Sequence, residues 1–106
     1  MNKSTYYLFF SNLSSQLRIS IVEALKDSPS SVTELSSTLK IEQSKLSHAL
    51  KNLRCCNIVS VEQKGKQRIY SLNKKTIVPI LELIDKHAKT FCSGGCAGQC
   101  QKWISI

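Results

Sequence analysis

Three cysteines near the end of the chain are the residues with the clearest capacity for chemistry. Cys92, Cys96 and Cys100 follow the spacing CxxxCxxxC, and three glycines lie between the first and the last of them. Glycine lets a backbone fold closely around a small ion. Three soft thiolates suit a thiophilic metal or metalloid such as arsenite, cadmium or zinc. The spacing therefore predicts a thiol site that becomes ordered when it binds its ion.

The same cysteines are compatible with other chemistry. Oxidation can link two of them, which would make a thiol switch that needs no metal. Three or four thiolates can also hold an iron–sulfur cluster. A further alternative is a tail that senses nothing and forms a structural zinc knob or a partner-binding patch, with Trp103 and Ile104 as its anchor. The residues alone leave these alternatives open.

Composition narrows the kinds of partner. The 106 residues are expected to form one small domain, and 15 Lys and Arg against 7 Asp and Glu give a net charge of +8. Such a charge favours a polyanionic partner, with nucleic acid as the first candidate. An enzyme is not expected, because two histidines and seven acids assemble no paired acids and no Cys-His dyad with a plausible pocket.

Localisation is predicted from what the sequence lacks. The longest apolar run, Tyr6 to Phe10, is far too short to span a bilayer, and no stretch resembles a signal peptide with a cleavage site. We therefore expect a cytoplasmic protein without a membrane partner. Its five cysteines are then expected to be reduced thiols rather than structural disulfides.

Residues 31–54 predict two short amphipathic helices joined by a tight turn, which is the pattern of a helix-turn-helix. Ser31 and Glu34 have the spacing of a capping box, so the first helix is expected to begin near Val32. Both helices carry an apolar stripe at helical spacing. The stripe residues are Val32, Leu35, Leu39, Leu46, Ala49, Leu50 and Leu53.

The opposite face of the second helix carries polar and cationic side chains. A recognition helix needs this division, because its inner face anchors in the core while its outer residues reach base edges and phosphates. An ordinary solvated face would show a similar pattern. The predicted DNA-binding residues on this helix, which is expected to span about residues 43–54, are Gln43, Ser44, Lys45, Ser47, His48 and Lys51.

A basic hairpin is predicted directly after these helices. Asn57 can end the second helix in a left-handed conformation, and residues 58–61 and 67–72 have strand character on either side of a turn at 63–66. Lys64, Lys66 and Arg68 lie at and beside the hairpin tip. Lysines also protect ordinary exposed edges, but the position after a helix-turn-helix favours the wing of a winged helix that contacts phosphate or the minor groove.

Three more helices are predicted around this unit. Residues 5–13 form a short aromatic segment, residues 15–26 form a scaffold helix, and residues 76–91 form a last helix that Thr76 can cap. The first and last of these helices are the expected homodimer interface. We predict a mainly α winged helix-turn-helix domain at residues 1–91 and a cysteine-rich tail at 92–106.

Three strings of the chain resemble the ArsR/SmtB family of winged-helix transcriptional repressors, across roughly residues 8–90. Leu17 to Ile19 is similar to the family's Leu-Arg-Ile string, and Gly65 to Leu72 is similar to its Gly-Arg-x-x-Tyr-Tyr-x-Leu wing. Ser44 to Arg54 resembles its recognition helix, Ser-x-x-Ser-x-His-Leu-x-x-Leu-Arg, with His48 one place before the histidine of that pattern.

The resemblance implies a homodimer on a partly palindromic operator in double-stranded DNA. Such repressors leave the operator when an inducer binds, usually a metal or metalloid and sometimes a redox signal. The family's Cys-x-Cys site for arsenic and cadmium is replaced here by Ser31 and Thr33. Of its zinc site in the last helix, His87 is the one matching residue.

Some cadmium and lead sensors of this family place thiols on the recognition helix as well as in the tail. Cys55 is expected near the surface, where it would complete a metal site with Cys92, Cys96 and Cys100. Cys56 falls at a position that is small and buried in the family, so the resemblance predicts a core side chain there.

Overall fold

Helices dominate residues 3–92, the part of the chain that the structure, a computed structural model, describes. The mainly α class with a small hairpin is confirmed. The helices are α1 (Lys3–Leu13), α2 (Gln16–Asp27), α3 (Val32–Leu39), α4 (Gln43–Cys55) and α5 (Ile77–His87), which continues as a π-helical segment (Ala88–Cys92). The strands are β1 (Ser30–Ser31), β2 (Val59–Lys64) and β3 (Gln67–Leu72).

The predicted helix-turn-helix consists of α3 and α4, and its apolar stripes face the core. Every predicted stripe residue of α4 is buried, as is Leu35 of α3, while Val32 and Leu39 are half-buried. The scaffold helix α2 and the sheet complete this core. Their buried side chains are Ile21, Val22 and Leu25 on α2, and Ile58, Val59, Tyr70 and Leu72 in and before the strands.

The capping box at the start of α3 is confirmed. The Glu34 backbone N–H donates to Ser31 Oγ at 3.2 Å, and the Ser31 backbone N–H donates to a Glu34 carboxylate oxygen at 2.9 Å. At its other end α3 stops at Lys40, whose φ of 57° is left-handed. Ser36 Oγ then donates to the Ile41 carbonyl at 2.7 Å and closes the tight turn into α4.

The sheet has the strand order β1-β3-β2, and all pairs are antiparallel. The hairpin runs from the pair Val59 and Leu72 to the pair Lys64 and Gln67, with the turn at Gly65 (φ 63°). Strand β1 was not predicted, because two serines have little strand propensity. It pairs Ser31 with Ile69, so Ser31 is both a strand residue and the cap of α3.

Asn57 makes the junction between α4 and the hairpin, as predicted. Its φ is 55°, and its backbone N–H donates to the Arg54 carbonyl at 2.9 Å. The Asn73 side chain donates to the Asn57 carbonyl at 2.8 Å, and the Asn73 backbone N–H donates to the Ile58 carbonyl at 3.0 Å. The two residues before β2 and the residue after β3 are therefore hydrogen-bonded to each other beside the end of α4.

Helix α5 belongs to the second of two compact units, which divide between Asn73 and Lys74. Thr76 precedes the helix as predicted, but its side chain makes no capping hydrogen bond. The predicted single helix changes to π-helix at Ala88. One extra residue per turn changes the direction of the side chains that follow, compared with a regular α-helix.

Large apolar side chains remain exposed on α1 and, separately, on α5. On α1 the exposed fractions of Tyr6, Tyr7, Leu8 and Phe10 lie between 58% and 73%. On the second unit the exposed side chains are Leu83, Ile84 and Phe91, with the His87 ring 4.9 Å from the Phe91 ring. The homodimer interface predicted from these two helices stays a prediction. Within residues 3–92, no helix is long and apolar enough to cross a membrane.

Replacing Ser31 with Ala should lower the free energy of unfolding by about 1 kcal/mol, because one N–H at the start of α3 loses its acceptor. Urea unfolding at a fixed protomer concentration measures this change. The matched control is Ser37→Ala, at an exposed position inside the same helix, where alanine should be neutral or slightly stabilising. Equal effects of the two changes would show that the capping box contributes nothing.

Candidate nucleic-acid interface and cysteine sites

The exposed side of α4 is the surface on which the predicted reading residues meet. Leu46, Leu50 and Leu53 are 0% exposed on the inner side of the helix. An α-helix with its side chains is about 10–12 Å wide, and the major groove of B-DNA is about 12 Å wide. We call this surface the α4 outer face; it consists of Gln43, Ser44, Lys45, Ser47, His48 and Lys51, which are all exposed.

An open groove of about 480 Å³ borders the α4 outer face on the side of α2. It is lined by Ser15 and Arg18 from the start of α2 and by Ser44, Lys45 and His48 from α4, together with Leu17 and Ala49. Ser15 caps α2, because its side chain accepts a hydrogen bond from the Arg18 backbone N–H at 3.3 Å. The sequence pattern did not indicate that the start of α2 lies beside the predicted reading residues.

The hairpin brings its three cations to one end of the sheet. Lys64, Lys66 and Arg68 are exposed around Gly65, and the Gln63 side chain donates to the Gly65 carbonyl at 2.9 Å. A groove of about 210 Å³ lies between this end and the first turn of α3, lined by Ser31, Val32, Thr33, Lys66, Gln67 and Arg68. Since a helix N-terminus carries a partial positive charge, cations and helix dipole together favour an anion such as phosphate.

A polar contact between α1 and α4 holds the last turn of the recognition helix. The Asn12 side chain donates to the Asn52 carbonyl at 3.0 Å, and Arg18 donates to Asn12 Oδ1 at 2.6 Å and to the Asn12 carbonyl at 3.1 Å. We call these groups the Asn12 brace. Of these residues, the sequence analysis identified only Arg18, as part of the string at 17–19. No sequence pattern indicated that Arg18 contacts Asn12 or that Asn12 contacts Asn52.

Cys55 and Cys56 are both free and exposed. The prediction that Cys56 is a buried core residue was therefore wrong. Cys56 is the C-cap of α4, with φ −100° and ψ 11°, and the chain turns away at Asn57. Helical spacing from Leu53 consequently does not carry the Cys56 side chain into the core, whereas Cys55 is at the surface as expected.

The remaining predicted metal ligands lie at or beyond the edge of the described residues. Cys92 ends the π-helical segment, and Cys96 and Cys100, like Trp103 and Ile104, lie outside the described residues. Within residues 3–92, no group of three or more His, Cys, Asp and Glu side chains is suited to hold a metal ion. The site that combines Cys55 with the three tail cysteines stays a prediction.

A helix-turn-helix followed by a hairpin with a cationic tip defines a winged helix-turn-helix protein. Residues 15–61 match the sequence model of the family described as bacterial regulatory protein, arsR family. Over these residues the chain resembles the arsR family.

Individual proteins are similar to the chain in sequence or in structure. The HTH-type transcriptional regulator NmtR of Mycobacterium tuberculosis is 30% identical over 77 residues, which are 73% of this chain and 64% of that protein. The chain thus spans less than two thirds of the length of this relative. HlyU from Vibrio cholerae is similar in structure, with a TM-score of 0.71 and 27% identity over 88% of this chain and 100% of that one. The reduced form of HlyU has a TM-score of 0.70 and 27% identity, over 87% of this chain and 94% of that one. Rv0081 of M. tuberculosis has a TM-score of 0.74 and 33% identity, over 87% of this chain and 96% of that one.

Replacing Asn12 with Ala should destabilise the protein by about 1 kcal/mol, because the Asn52 carbonyl loses its donor and Arg18 loses the side-chain acceptor Asn12 Oδ1, although it keeps the Asn12 carbonyl. Denaturant unfolding measures the change. Asn52→Ala is the matched control, because the brace uses the backbone carbonyl of residue 52 and that substitution leaves it in place. A loss in the control as large as in Asn12→Ala would mean that the brace is not the source of the effect.

Proposed function

We propose that the protein is a transcriptional repressor that binds operator DNA as a homodimer and releases it when a thiophilic metal or metalloid binds its cysteine-rich tail. The observation that carries the DNA-binding part is the division of α4 into a fully buried apolar side and the polar, cationic α4 outer face. The arsR-family match supports the same class of function.

On this proposal the residues divide between reading bases and holding the backbone. The side chains on the first turns of α4 reach base edges. These residues are Gln43, Ser44, Lys45, Ser47 and His48. Cations farther along and on the wing neutralise phosphates, which gives affinity without sequence preference. These phosphate contacts are Lys51, Lys64, Lys66 and Arg68.

The homodimer is proposed from the exposed apolar side chains of α1 and α5. An aromatic surface such as that of Tyr6, Tyr7 and Phe10 is costly to leave in water, and a second copy of the chain would cover it. A two-fold dimer presents two α4 helices to successive major grooves, so the operator would be partly palindromic. The proposed division of labour is a domain at 1–91 for DNA and dimer contacts and a tail at 92–106 for sensing.

For the inducer, we propose arsenite, cadmium or zinc held by Cys92, Cys96 and Cys100, with Cys55 as a further ligand. Three thiolates are the donor set that such soft ions prefer, and a cytoplasmic location would keep the thiols reduced. An ion that binds one arrangement of the dimer more tightly shifts the population away from the DNA-bound arrangement. Cys55 is the last residue of α4, so a bond to it would act directly on the recognition helix.

A thiol redox switch is the second candidate. Cys55 and Cys56 are free and exposed, as reversible oxidation requires. One solved structure of HlyU, which is similar in structure to this chain, is described as the reduced protein. That description distinguishes forms of HlyU by their redox state. Oxidation that joins two cysteines would then replace metal binding as the signal for release.

Removing a wing cation should weaken binding to every DNA sequence alike. For Lys64→Ala and Arg68→Ala, we expect the slope of log K against log salt to fall in magnitude by about one unit each. Fluorescence anisotropy at several salt concentrations measures the slope. Lys86→Ala on α5, outside the helix-turn-helix and the hairpin, is the control and should leave the slope unchanged. An unchanged slope in both wing variants would remove the wing from the interface.

Changing the α4 outer face should instead alter sequence preference. His48→Ala is expected to relax discrimination at one operator position by about 1–3 kcal/mol. Selection from a randomised DNA library, compared between wild type and variant, measures this. If the preferred sequence is the same for both, the reading face has been misplaced on α4.

Inducer binding separates the two candidate functions. Protein prepared without oxygen and bound to operator DNA should release it on adding one equivalent of As(III), Cd(II) or Zn(II) per protomer. The variant carrying Cys92→Ser, Cys96→Ser and Cys100→Ser should keep its DNA. A complex that ignores these ions but dissociates with a mild oxidant would establish the thiol switch instead.

A further inference from the structure

Arg18 is a half-buried cation that borders the α4 outer face without belonging to it. It lines the groove of about 480 Å³ that Lys45 and His48 also line. It lines a second groove as well, of about 350 Å³, which contains Asn12 and Asn52. Among the described residues, no acid lines either groove. Arg18 therefore places a permanent positive charge beside the proposed reading residues, in two spaces that contain no carboxylate.

Asn12 holds one nitrogen of this guanidinium through neutral oxygens. Arg18 Nη1 donates to Asn12 Oδ1 at 2.6 Å and to the Asn12 carbonyl at 3.1 Å. These two bonds account for both N–H groups of Nη1, and a guanidinium carries three more N–H groups, on Nε and Nη2. The edge formed by Nε and Nη2 matches two oxygens of a phosphate, which arginine binds in a bidentate manner. Asn12 thus orients the guanidinium without neutralising its charge.

The position of Arg18 beside α4 indicates which anion would reach it. An α-helix with its side chains is about 10–12 Å wide, and the major groove is about 12 Å wide. Residues that lie beside an inserted helix therefore face the sugar-phosphate backbone along the edge of that groove. Arg18 lies beside Lys45 and His48, because all three line one space. With α4 in the major groove, its nearest anion is a backbone phosphate.

We propose that Arg18 binds a backbone phosphate of the operator from outside the helix-turn-helix and the wing, and that Asn12 is its positioning residue. This inference rests on the proposed DNA-binding function and adds a contact that the function does not include. The Asn12 amide also donates to the Asn52 carbonyl at 3.0 Å. One side chain therefore holds both the phosphate-binding group on α2 and the last turn of α4. Because the guanidinium is already held, little side-chain ordering remains when the phosphate binds.

The test compares Arg18→Met with Lys86→Met on a synthetic duplex of mixed sequence, since phosphate contacts carry no sequence information. For Arg18→Met, we expect the slope of log K against log salt to fall in magnitude by about one unit. Lys86→Met removes the same charge from α5 and should leave the slope unchanged. Fluorescence anisotropy at several salt concentrations measures both slopes, and urea unfolding shows that each variant is folded.

Arg18→Lys keeps the positive charge and serves if Arg18→Met does not fold. Lysine cannot make the bidentate contact. We therefore expect this variant to keep the wild-type slope and to lose affinity for the duplex about tenfold, which corresponds to one charge-assisted hydrogen bond.

A double-mutant cycle in DNA binding tests the role of Asn12. Asn12→Ala should weaken binding of the wild-type protein at least about threefold, because the guanidinium loses an acceptor that orients it. The same change should have no effect when residue 18 is already Met. Equal losses in both backgrounds would show that Asn12 acts through the Asn52 carbonyl alone, and would overturn its assignment as the positioning residue of Arg18.

Lys64→Ala, measured on the same duplex, separates this inference from the proposed function. If Lys64→Ala lowers the slope while Arg18→Met leaves it unchanged, the Arg18 contact is overturned and the proposed function stands. Wild-type affinity in Arg18→Lys, or equal slope changes in Arg18→Met and Lys86→Met, would overturn the contact as well. If the wild-type protein binds no duplex, the proposed function fails and this inference fails with it.

Discussion

The burial of one side of α4 is the constraint on which the rest of the structure depends. Leu46, Leu50 and Leu53 are fully buried with Ala49 beside them, and each large side chain contributes about 1.5–3 kcal/mol when it leaves water. Because an α-helix advances 100° per residue, burying these positions fixes the rotation of the helix about its axis. The direction of every outer residue follows from that rotation. Core packing therefore decides which side chains are available to a duplex.

Polar contacts at the helix ends complete what apolar packing leaves undetermined. An apolar stripe opposes rotation of a helix about its axis but allows small shifts along that axis. Hydrogen bonds oppose such shifts, because they form only within a narrow range of distances. The capping box holds the start of α3, and the Asn12 brace with the left-handed Asn57 holds the end of α4. The capping box joins residues that are 3 apart in the chain, so its spacing could be recognised in the sequence. The Asn12 brace joins residues that are 40 apart, and no sequence pattern indicated it.

Local patterns were sufficient to predict the helices, the hairpin, the capping box and the turn at Asn57, because each depends on residues within one or two turns of one another. They failed where a tertiary contact decides. Strand β1 exists because β3 lies beside it, despite the low strand propensity of Ser30 and Ser31. Cys56 is exposed because the chain leaves the helix there, although the resemblance to the family predicted a core side chain. The Asn12 brace combines residues from α1, α2 and α4, a neighbourhood that no periodicity encodes.

The pairing of Ser31 with Ile69 also has a mechanical meaning. The residue that starts the helix-turn-helix is hydrogen-bonded within the same sheet as the hairpin, so a force on the hairpin tip is transmitted through β3 to the start of α3. The two DNA-facing elements would then approach a duplex as one stiff body, and little chain ordering would remain for the encounter itself. In such a preorganised body the entropic cost of alignment is met during folding, which leaves more of the contact energy to hold the duplex.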